Sequence, residues 1–225
     1  MSFLKKMLAA VLILAMTLSL VTAAFAAGST SPVNPDEPKN PGWNDEERLD
    51  GNTQDHNNTK VTTKVTNSAA TVLEIRRRAK DNICTLTTAR DRDNNKRDIT
   101  AIGDGKNGVL DNSAGASIKT LEISSKAKVT VKAKAFKNSR VNKLNVKSKQ
   151  VQFNSNCFTG TQVKNPTINI TKATKASDIA VQSNAFHGLN SKATIVVNKN
   201  MSKTEFNKLK KKLQAAGFKG TIKQG

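Results

Sequence analysis

The feature that most constrains the fold is an internal repetition between Lys119 and Leu189. Three times, an alternating apolar strand is followed by a second such strand, and then by a small residue and a phenylalanine. The members are Leu121-Glu122-Ile123, Val129-Thr130-Val131 and Ala135-Phe136; Leu144-Asn145-Val146, Val151-Gln152-Phe153 and Cys157-Phe158; and Ile168-Asn169-Ile170, Ile179-Ala180-Val181 and Ala185-Phe186. A period in the low twenties predicts a solenoid with one coil per repeat.

The spacing is regular except at one place. The first strands begin 23 and 24 residues apart, whereas the phenylalanines are 22 and 28 apart, because the third unit has about six extra residues near Thr171–Ser177. One coil cannot bury its own apolar face, but stacked coils can. The register therefore predicts an interior structural column formed by Phe136, Phe158 and Phe186.

The charge of the chain is high and unevenly placed. The formal net charge is +20, and residues 28–58 are acidic, so residues 59–225 hold 33 basic and ten acidic side chains, a net of +23. A domain this basic is expected to attract polyanions and to associate quickly at low salt. A second interpretation is that lysine only keeps a β-rich surface soluble and its strand edges unpaired.

The first 58 residues are expected to precede the folded domain. Met1–Ala26 has a charged start, an apolar core and a small-x-small site, which predict a secretory signal peptide cleaved between Ala26 and Ala27. The alternative, a retained membrane anchor, lacks a following stop-transfer pattern. Residues 27–58 hold four of the five prolines among acidic and polar residues, which is typical of an extended, disordered linker.

Residues 59–225 are expected to form the domain, with the clearest repeats at 119–189. The stretch from Thr59 to about Gly108 predicts an N-terminal cap and an early, degenerate coil, in which Val109 and Leu110 take the place of a phenylalanine. Residues 202–216 begin with a capping box and have one apolar face, which predicts a C-terminal capping helix. Binding of this basic helix to a membrane surface is the other interpretation.

At these residues the chain resembles the BspA-like leucine-rich repeats of bacterial secreted and surface proteins. The resemblance covers about residues 60–225, and it lies in the Leu-x-Ile strand, the Val-x-Val and Ala-Phe elements, the trailing Phe186-His187-Gly188-Leu189, and the final strand, lysine-rich helix and short strand. It implies a β-rich leucine-rich-repeat solenoid (α/β, with few helices). It also implies a role in adhesion or host-protein binding. This copy is short, very rich in lysine, and irregular in its first coil.

The sequence offers little for catalysis. His56 and His187 are the only histidines, so neither a Ser-His-Asp arrangement nor a histidine metal site can be assembled. Asp91-x-Asp93-x-Asn95 begins like a calcium loop but fails at its sixth and twelfth positions, which favours a polar turn. We therefore expect no catalytic residues, no metal and no cofactor.

The two cysteines permit one disulfide in an exported protein. Cys157, however, occupies the small-residue position that Ala135 and Ala185 hold in the other repeats, and Cys84 lies several coils earlier. Neighbouring strands lie about 4.8 Å apart, so sulfur atoms two or more coils apart exceed disulfide reach. We predict two buried thiols rather than a disulfide.

The leading functional hypothesis is a non-enzymatic binding module that is secreted or associated with the cell wall. Its partner would be an anionic wall polymer such as teichoic acid, lipopolysaccharide, an acidic glycan or an acidic protein. With the phenylalanines inside, base stacking is not expected, so specific nucleic-acid recognition is disfavoured. The exposed basic candidates are Lys143, Lys147 and Lys149, with Gln152 beside them, and Lys210, Lys211 and Lys212 on the helix.

The alternative class is structural: a spacer or cap in a larger surface assembly, with lysine serving solubility. The sequence leaves the oligomeric state open.

Overall fold

The structure, a computed structural model, describes residues 60–66, 68–76, 82–91, 93–112 and 118–225. The expected signal peptide at 1–26 and the expected linker at 27–58 lie outside the described residues, as does His56.

The described residues form a β-rich fold whose strands belong mainly to two sheets. The first, sheet A, has the order β1-β2-β5-β7-β9-β11, and β4 pairs with β5; the second, sheet B, has the order β13-β12-β10-β8-β6-β3. The strands are β1 Lys60–Val65, β2 Ala70–Arg76, β3 Ile83–Leu86, β4 Thr88–Arg90, β5 Lys96–Ile102, β6 Thr120–Ser124, β7 Val129–Val131, β8 Lys143–Lys147, β9 Val151–Phe153, β10 Thr167–Ile170, β11 Ile179–Val181, β12 Thr194–Val197 and β13 Thr221–Gln224.

From β6 to β11 the chain alternates between the sheets, each sheet B strand being followed by a sheet A strand. All the sheet B pairings are parallel and keep the register of the sequence pattern, since Leu121 pairs with Leu144, Leu144 with Ile168, and Ile168 with Ile195. In sheet A the pairings from β5 to β11 are also parallel, with Val151 paired to both Val129 and Ile179. This arrangement of parallel sheets is compatible with the expected solenoid.

Burial along the strands has a period of two, which follows from side chains alternating between the faces of a strand. In β6, Leu121 and Ile123 are fully buried while Glu122 between them is only partly buried. Inward side chains of both sheets belong to one apolar cluster.

The N-terminal part differs from the rest in two antiparallel pairings, β1 with β2 and β4 with β5. It nevertheless joins the same sheets, because β2 pairs in parallel with β5 and β3 pairs in parallel with β6. Val109 and Leu110 are fully buried, as expected for residues that replace a phenylalanine.

The three phenylalanines form a buried row. The ring of Phe158 lies 4.9 Å from that of Phe136, at an interplanar angle of 7°, and 6.0 Å from that of Phe186. Phe218, from beyond the helix, extends the row with an edge contact to Phe186 at 5.1 Å. Each of the four is at most 3% exposed, so the column is an interior feature.

Each phenylalanine turn contains the same backbone irregularity. The residue two positions before the phenylalanine has a positive φ. This angle is 57° for Lys134 in the first turn, 59° for Asn156 in the second and 58° for Asn184 in the third. Main-chain hydrogen bonds link these turns, from Lys134 N to Asn156 O and from Asn156 N to Asn184 O, both at 3.0 Å. Asparagine tolerates this left-handed conformation better than lysine does.

The helix α1, Lys203–Ala215, lies within the expected range of 202–216. Ser202 caps it by accepting a hydrogen bond from the Glu205 backbone N–H, and Leu209 and Leu213 are its buried face. Gly217, which follows the end of the helix, has a φ of +91° and stops it from continuing. After β12 of sheet B, α1 takes the place in the chain order that a sheet A strand takes after β6, β8 and β10. The chain then returns to sheet B with β13.

Both cysteines are fully buried thiols, as the sequence predicts, and no disulfide joins them. The Cys157 Sγ–H donates to the carbonyl oxygen of Ala185 at 3.2 Å. Burial raises the pKa of this thiol well above its ordinary value, because the thiolate cannot be solvated there.

Candidate functional site

The six lysines proposed from the sequence lie on three different parts of the fold. Lys143 and Lys147 lie on β8 in sheet B, Lys149 lies in the turn after β8, and Lys210, Lys211 and Lys212 lie on α1. Gln152, expected beside them, is on β9 in sheet A. The proposed residues are therefore distributed over both sheets, a turn and the helix, and their role in binding stays a prediction.

Two of the six lysines are engaged in contacts within the fold. Lys147 Nζ lies 2.6 Å from a carboxylate oxygen of Glu122 on the neighbouring strand. Lys212 Nζ donates to the carbonyl oxygens of Ile179, at 2.6 Å, and Ala176, at 3.3 Å. Lys212 is half-buried, and its ammonium group makes hydrogen bonds within the fold.

Lys149 instead belongs to a groove that the sequence analysis did not identify. The groove has a volume of about 510 Å³ and lies over the turns β6–β7, β8–β9 and β10–β11, where the chain passes from sheet B to sheet A. We call it the lysine groove, and it is lined by Lys126, Lys128, Lys149, Gln150, Lys172, Thr174, Lys175 and Asp178.

Buried serines hold the first two turns in place. The Ser148 side-chain oxygen lies 2.7 Å from the carbonyl oxygen of Ala127 in the preceding turn, and 2.9 Å from that of Gln150 in its own turn. In the first turn, the Ser125 hydroxyl oxygen accepts a hydrogen bond from the Ala127 backbone N–H at 3.2 Å. Because both serines are buried, the backbone beneath the exposed lysines is fixed.

The third turn, which contains the extra residues, is held differently. Asp178 Oδ2 accepts from the backbone N–H groups of Thr174, at 3.1 Å, and Lys175, at 2.9 Å. A short 3-10 helix, Ala176–Asp178, follows, and its Ala176 N–H donates to a carboxylate oxygen of Glu205 on α1 at 2.7 Å. The capping helix therefore positions one wall of the lysine groove.

The groove is mainly positive, although Glu205 on α1 exerts a Coulomb attraction on Lys175. Its lining holds five lysines and one aspartate, a net formal charge of +4. Among the described residues, no carboxylate oxygen lies within 4.0 Å of any of these five Nζ atoms. The Lys128 Nζ donates to the Gln152 side-chain oxygen at 2.6 Å. Because glutamine is neutral, this hydrogen bond does not neutralise the charge of Lys128.

The other sequence candidates for chemistry are engaged in turns. Asp91 accepts from the Asn95 backbone N–H at 2.8 Å and from Arg97 Nε at 2.7 Å, so its carboxylate closes a polar turn of the β4–β5 hairpin. His187 is exposed, with Nδ1 3.1 Å from the Thr159 hydroxyl. In the described ranges, no three of the His, Cys, Asp and Glu side chains group closely enough to hold a metal ion.

A signal for the groove is nevertheless present in the sequence. Three sheet B strands, β6, β8 and β10, are each followed by a hydroxyl residue and a lysine, in Ser125-Lys126, Ser148-Lys149 and Thr171-Lys172. Aligning the turns rather than the strands would have brought these lysines together. The alternation of side chains along a strand instead points to strand residues such as Lys143 and Lys147.

No family model matches the chain, and no similar protein was found among proteins of curated function or among solved structures. Over the described residues, no helix has the length and apolar character needed to cross a membrane.

Proposed function

We propose that the chain is a secreted or cell-surface binding module that recognises an anionic wall polymer, glycan or protein through its lysine groove, without catalysis. The observation that carries this proposal is the convergence of five lysines, from three successive turns, on one groove with a single aspartate. The charge of +23 over residues 59–225 adds a long-range attraction for polyanions, which accelerates association at low salt.

The fold on which this proposal rests is a solenoid of the BspA-like leucine-rich-repeat type. Its support is the parallel, in-register pairing of strands spaced 23 and 24 residues apart, together with the buried row of phenylalanine rings. In such a fold, each coil brings its turn beside the turn of the next coil. A lysine at the same turn of successive coils thereby becomes a row of positive charge.

Such a groove favours an anionic ligand for a simple physical reason. Its like charges repel one another when the groove is empty, and an anion removes that repulsion while gaining several Coulomb attractions. The lysines are exposed, so salt screens these interactions within about 8 to 10 Å at ordinary ionic strength. Binding is therefore expected to weaken steeply as salt is raised.

The test compares two triple variants of equal net charge. The groove variant has Lys126→Gln, Lys149→Gln and Lys175→Gln, and the control variant has Lys143→Gln, Lys210→Gln and Lys211→Gln. Binding to isolated cell walls and to a panel of acidic polymers and proteins is measured at low and high salt. Exposed ion pairs contribute about 0.2–1 kcal/mol each, so we expect the groove variant to lose affinity on the order of tenfold and the control variant much less.

Equal losses in the two variants would mean that only total charge matters, and the groove would then not be the site. Binding that is indifferent to salt would contradict the electrostatic mechanism. If nothing in the panel binds, the result favours the structural alternative of a spacer or cap. Size-exclusion chromatography of envelope extracts then tests whether the protein joins a larger assembly.

A further inference from the structure

The lysine groove crosses three turns that stack side by side, which gives its charges a direction. Lys126 and Lys128 belong to the first turn, Lys149 to the second, and Lys172 and Lys175 to the third. Neighbouring strands are about 4.8 Å apart, so the outer turns are separated by about 10 Å along the stacking direction. The groove therefore presents charge at three successive levels rather than at one point.

Stacked levels of charge fit an extended, unbranched ligand better than a single compact anion. A compact anion at Lys149 would leave the lysines of the outer turns repelling one another. A chain lying across the turns brings an anionic group to each level, and after the first group binds, the others bind at a high effective concentration. The backbone beneath is fixed by Ser148 and by Asp178, so the levels keep their spacing.

The side chains that line the groove also constrain the chemistry of the anionic group. Among the described residues that line it there is no arginine and no aromatic side chain. Arginine is the residue that matches a planar carboxylate with two parallel hydrogen bonds, whereas lysine acts as a point charge and is a common phosphate ligand. Without aromatic rings, the groove offers no surface on which bases can stack.

We propose, building on the proposed function, that the lysine groove binds an unbranched phosphate polymer without bases, lying across all three turns. Linear polyphosphate and polyol phosphate share this chemistry, as both carry negative phosphate groups in sequence along a flexible chain. Thr174 and Gln150 supply neutral hydrogen-bonding groups at the same groove. Selectivity then rests on the spacing and number of charges.

A length series tests the proposal. Affinity of the full chain is measured at one ionic strength for orthophosphate, pyrophosphate, tripolyphosphate, long-chain polyphosphate and polyglycerol phosphate. Polygalacturonate, a sulfated glycan and single-stranded oligothymidylate serve as competing classes. We expect long phosphate chains to bind at least about tenfold more tightly per phosphate than pyrophosphate, because only they reach all three turns. The polyphosphate and polyglycerol phosphate arms separate the two sources of the ligand.

Single substitutions test whether one chain spans the groove. Lys128→Gln and Lys175→Gln, on opposite outer turns, should each weaken binding of long chains severalfold while changing pyrophosphate binding less. The matched control is Lys211→Gln, on the exposed part of α1, which should change neither. All variants are first compared with the parent by circular dichroism and thermal unfolding, so that loss of fold is separated from loss of binding.

This inference would be overturned, and the proposed function left intact, if polygalacturonate, the sulfated glycan or oligothymidylate bound the groove as tightly as the phosphate polymers do. Equal affinity per phosphate for short and long chains would also overturn it. If no polyanion distinguishes the groove triple variant from its control triple variant, the proposed function fails as well.

Discussion

The ammonium group of Lys212 on α1 lies 2.6 Å from the main-chain carbonyl oxygen of Ile179, the first residue of strand β11. β11 is the last strand of sheet A, so its outer edge would otherwise present unpaired carbonyl groups. The helix thus closes the sheet with a charged hydrogen bond as well as with its apolar face.

The first prediction concerns this closure. Lys212→Met keeps most of the apolar stem but removes the donor, and we expect it to lower the free energy of unfolding by about 1–2 kcal/mol, because a buried carbonyl loses its charged partner. Urea unfolding followed by circular dichroism measures the change. The matched control is Lys211→Met on the same helix, whose exposed side chain should leave stability within about 0.5 kcal/mol of the parent.

The second prediction concerns acid. The hydrogen bond from the Ala176 backbone N–H, and secondly the hydrogen bond from the Lys208 side chain, hold the pKa of Glu205 below its ordinary value of 4.5. A carboxylate with a lowered pKa in the folded state stabilises the fold above its ordinary pKa, and this contribution is lost as pH falls below about 4.5. Urea unfolding at pH values from 7 to 3 should show a shallower acid slope for Glu205→Gln than for the parent. Identical slopes would contradict the assigned contact.

A third prediction tests the phenylalanine row. Phe158 has ring contacts with Phe136, Phe153 and Phe186, at 4.9, 6.3 and 6.0 Å. Phe158→Leu removes ring contacts and leaves a small cavity, and we expect a loss of about 2 kcal/mol in unfolding free energy. Phe206→Leu, at a half-buried position of α1, is the control and should cost less than half as much. Equal losses of unfolding free energy in the two variants would mean that the phenylalanine row contributes no more to stability than a half-buried ring on α1.

The fourth prediction concerns backbone strain. Lys134 adopts a left-handed φ of 57° at the turn position that Asn156 and Asn184 fill in the next two units. Since asparagine tolerates this conformation better, Lys134→Asn should raise the melting temperature by a few degrees, equivalent to about 0.5–1 kcal/mol. The reverse exchange, Asn156→Lys, should lower it. A destabilising Lys134→Asn would show that the lysine has a role other than filling the turn.

The fifth prediction concerns the thiols. Because burial raises the pKa of Cys157 above its ordinary 9.0, the folded state holds a proton that the unfolded state releases, and stability should fall as pH rises above about 9. Cys157→Ala should reduce this alkaline slope. Iodoacetamide labelling followed by intact mass should add no label in the native protein and two labels in urea; a mass two hydrogens lower before labelling would indicate a disulfide.

The sequence was informative where local pattern and spacing determine the structure. The 23- and 24-residue spacing anticipates that Leu121, Leu144 and Ile168 are paired neighbours, and the capping box anticipates the start of α1 after Ser202. The burial of the Cys157 thiol is also predicted by the sequence, because Cys157 occupies the position that the buried Ala135 and Ala185 hold in the other repeats.

The candidate binding surface was harder to predict from the sequence, because it depends on distant parts of the chain. Lys212 looks like its neighbour Lys211 in the sequence, and only the packing of α1 on β11 places it beside a carbonyl oxygen 33 residues earlier. The lysine groove requires three turns to stack in register, and one of them, with the additional residues, is held by Asp178 and Glu205. No local pattern predicts that such a turn still aligns with the others.

The linear order of sheet B also determines how damage spreads through the molecule. From β3 to β13 each strand pairs only with its immediate neighbours, so the main-chain hydrogen bonds of the sheet connect remote strands only through every strand between them. Fraying at the carboxyl end should therefore leave the amides of β6 and β8 protected, and native-state hydrogen exchange should proceed inward from β13 as a gradient rather than in one cooperative step.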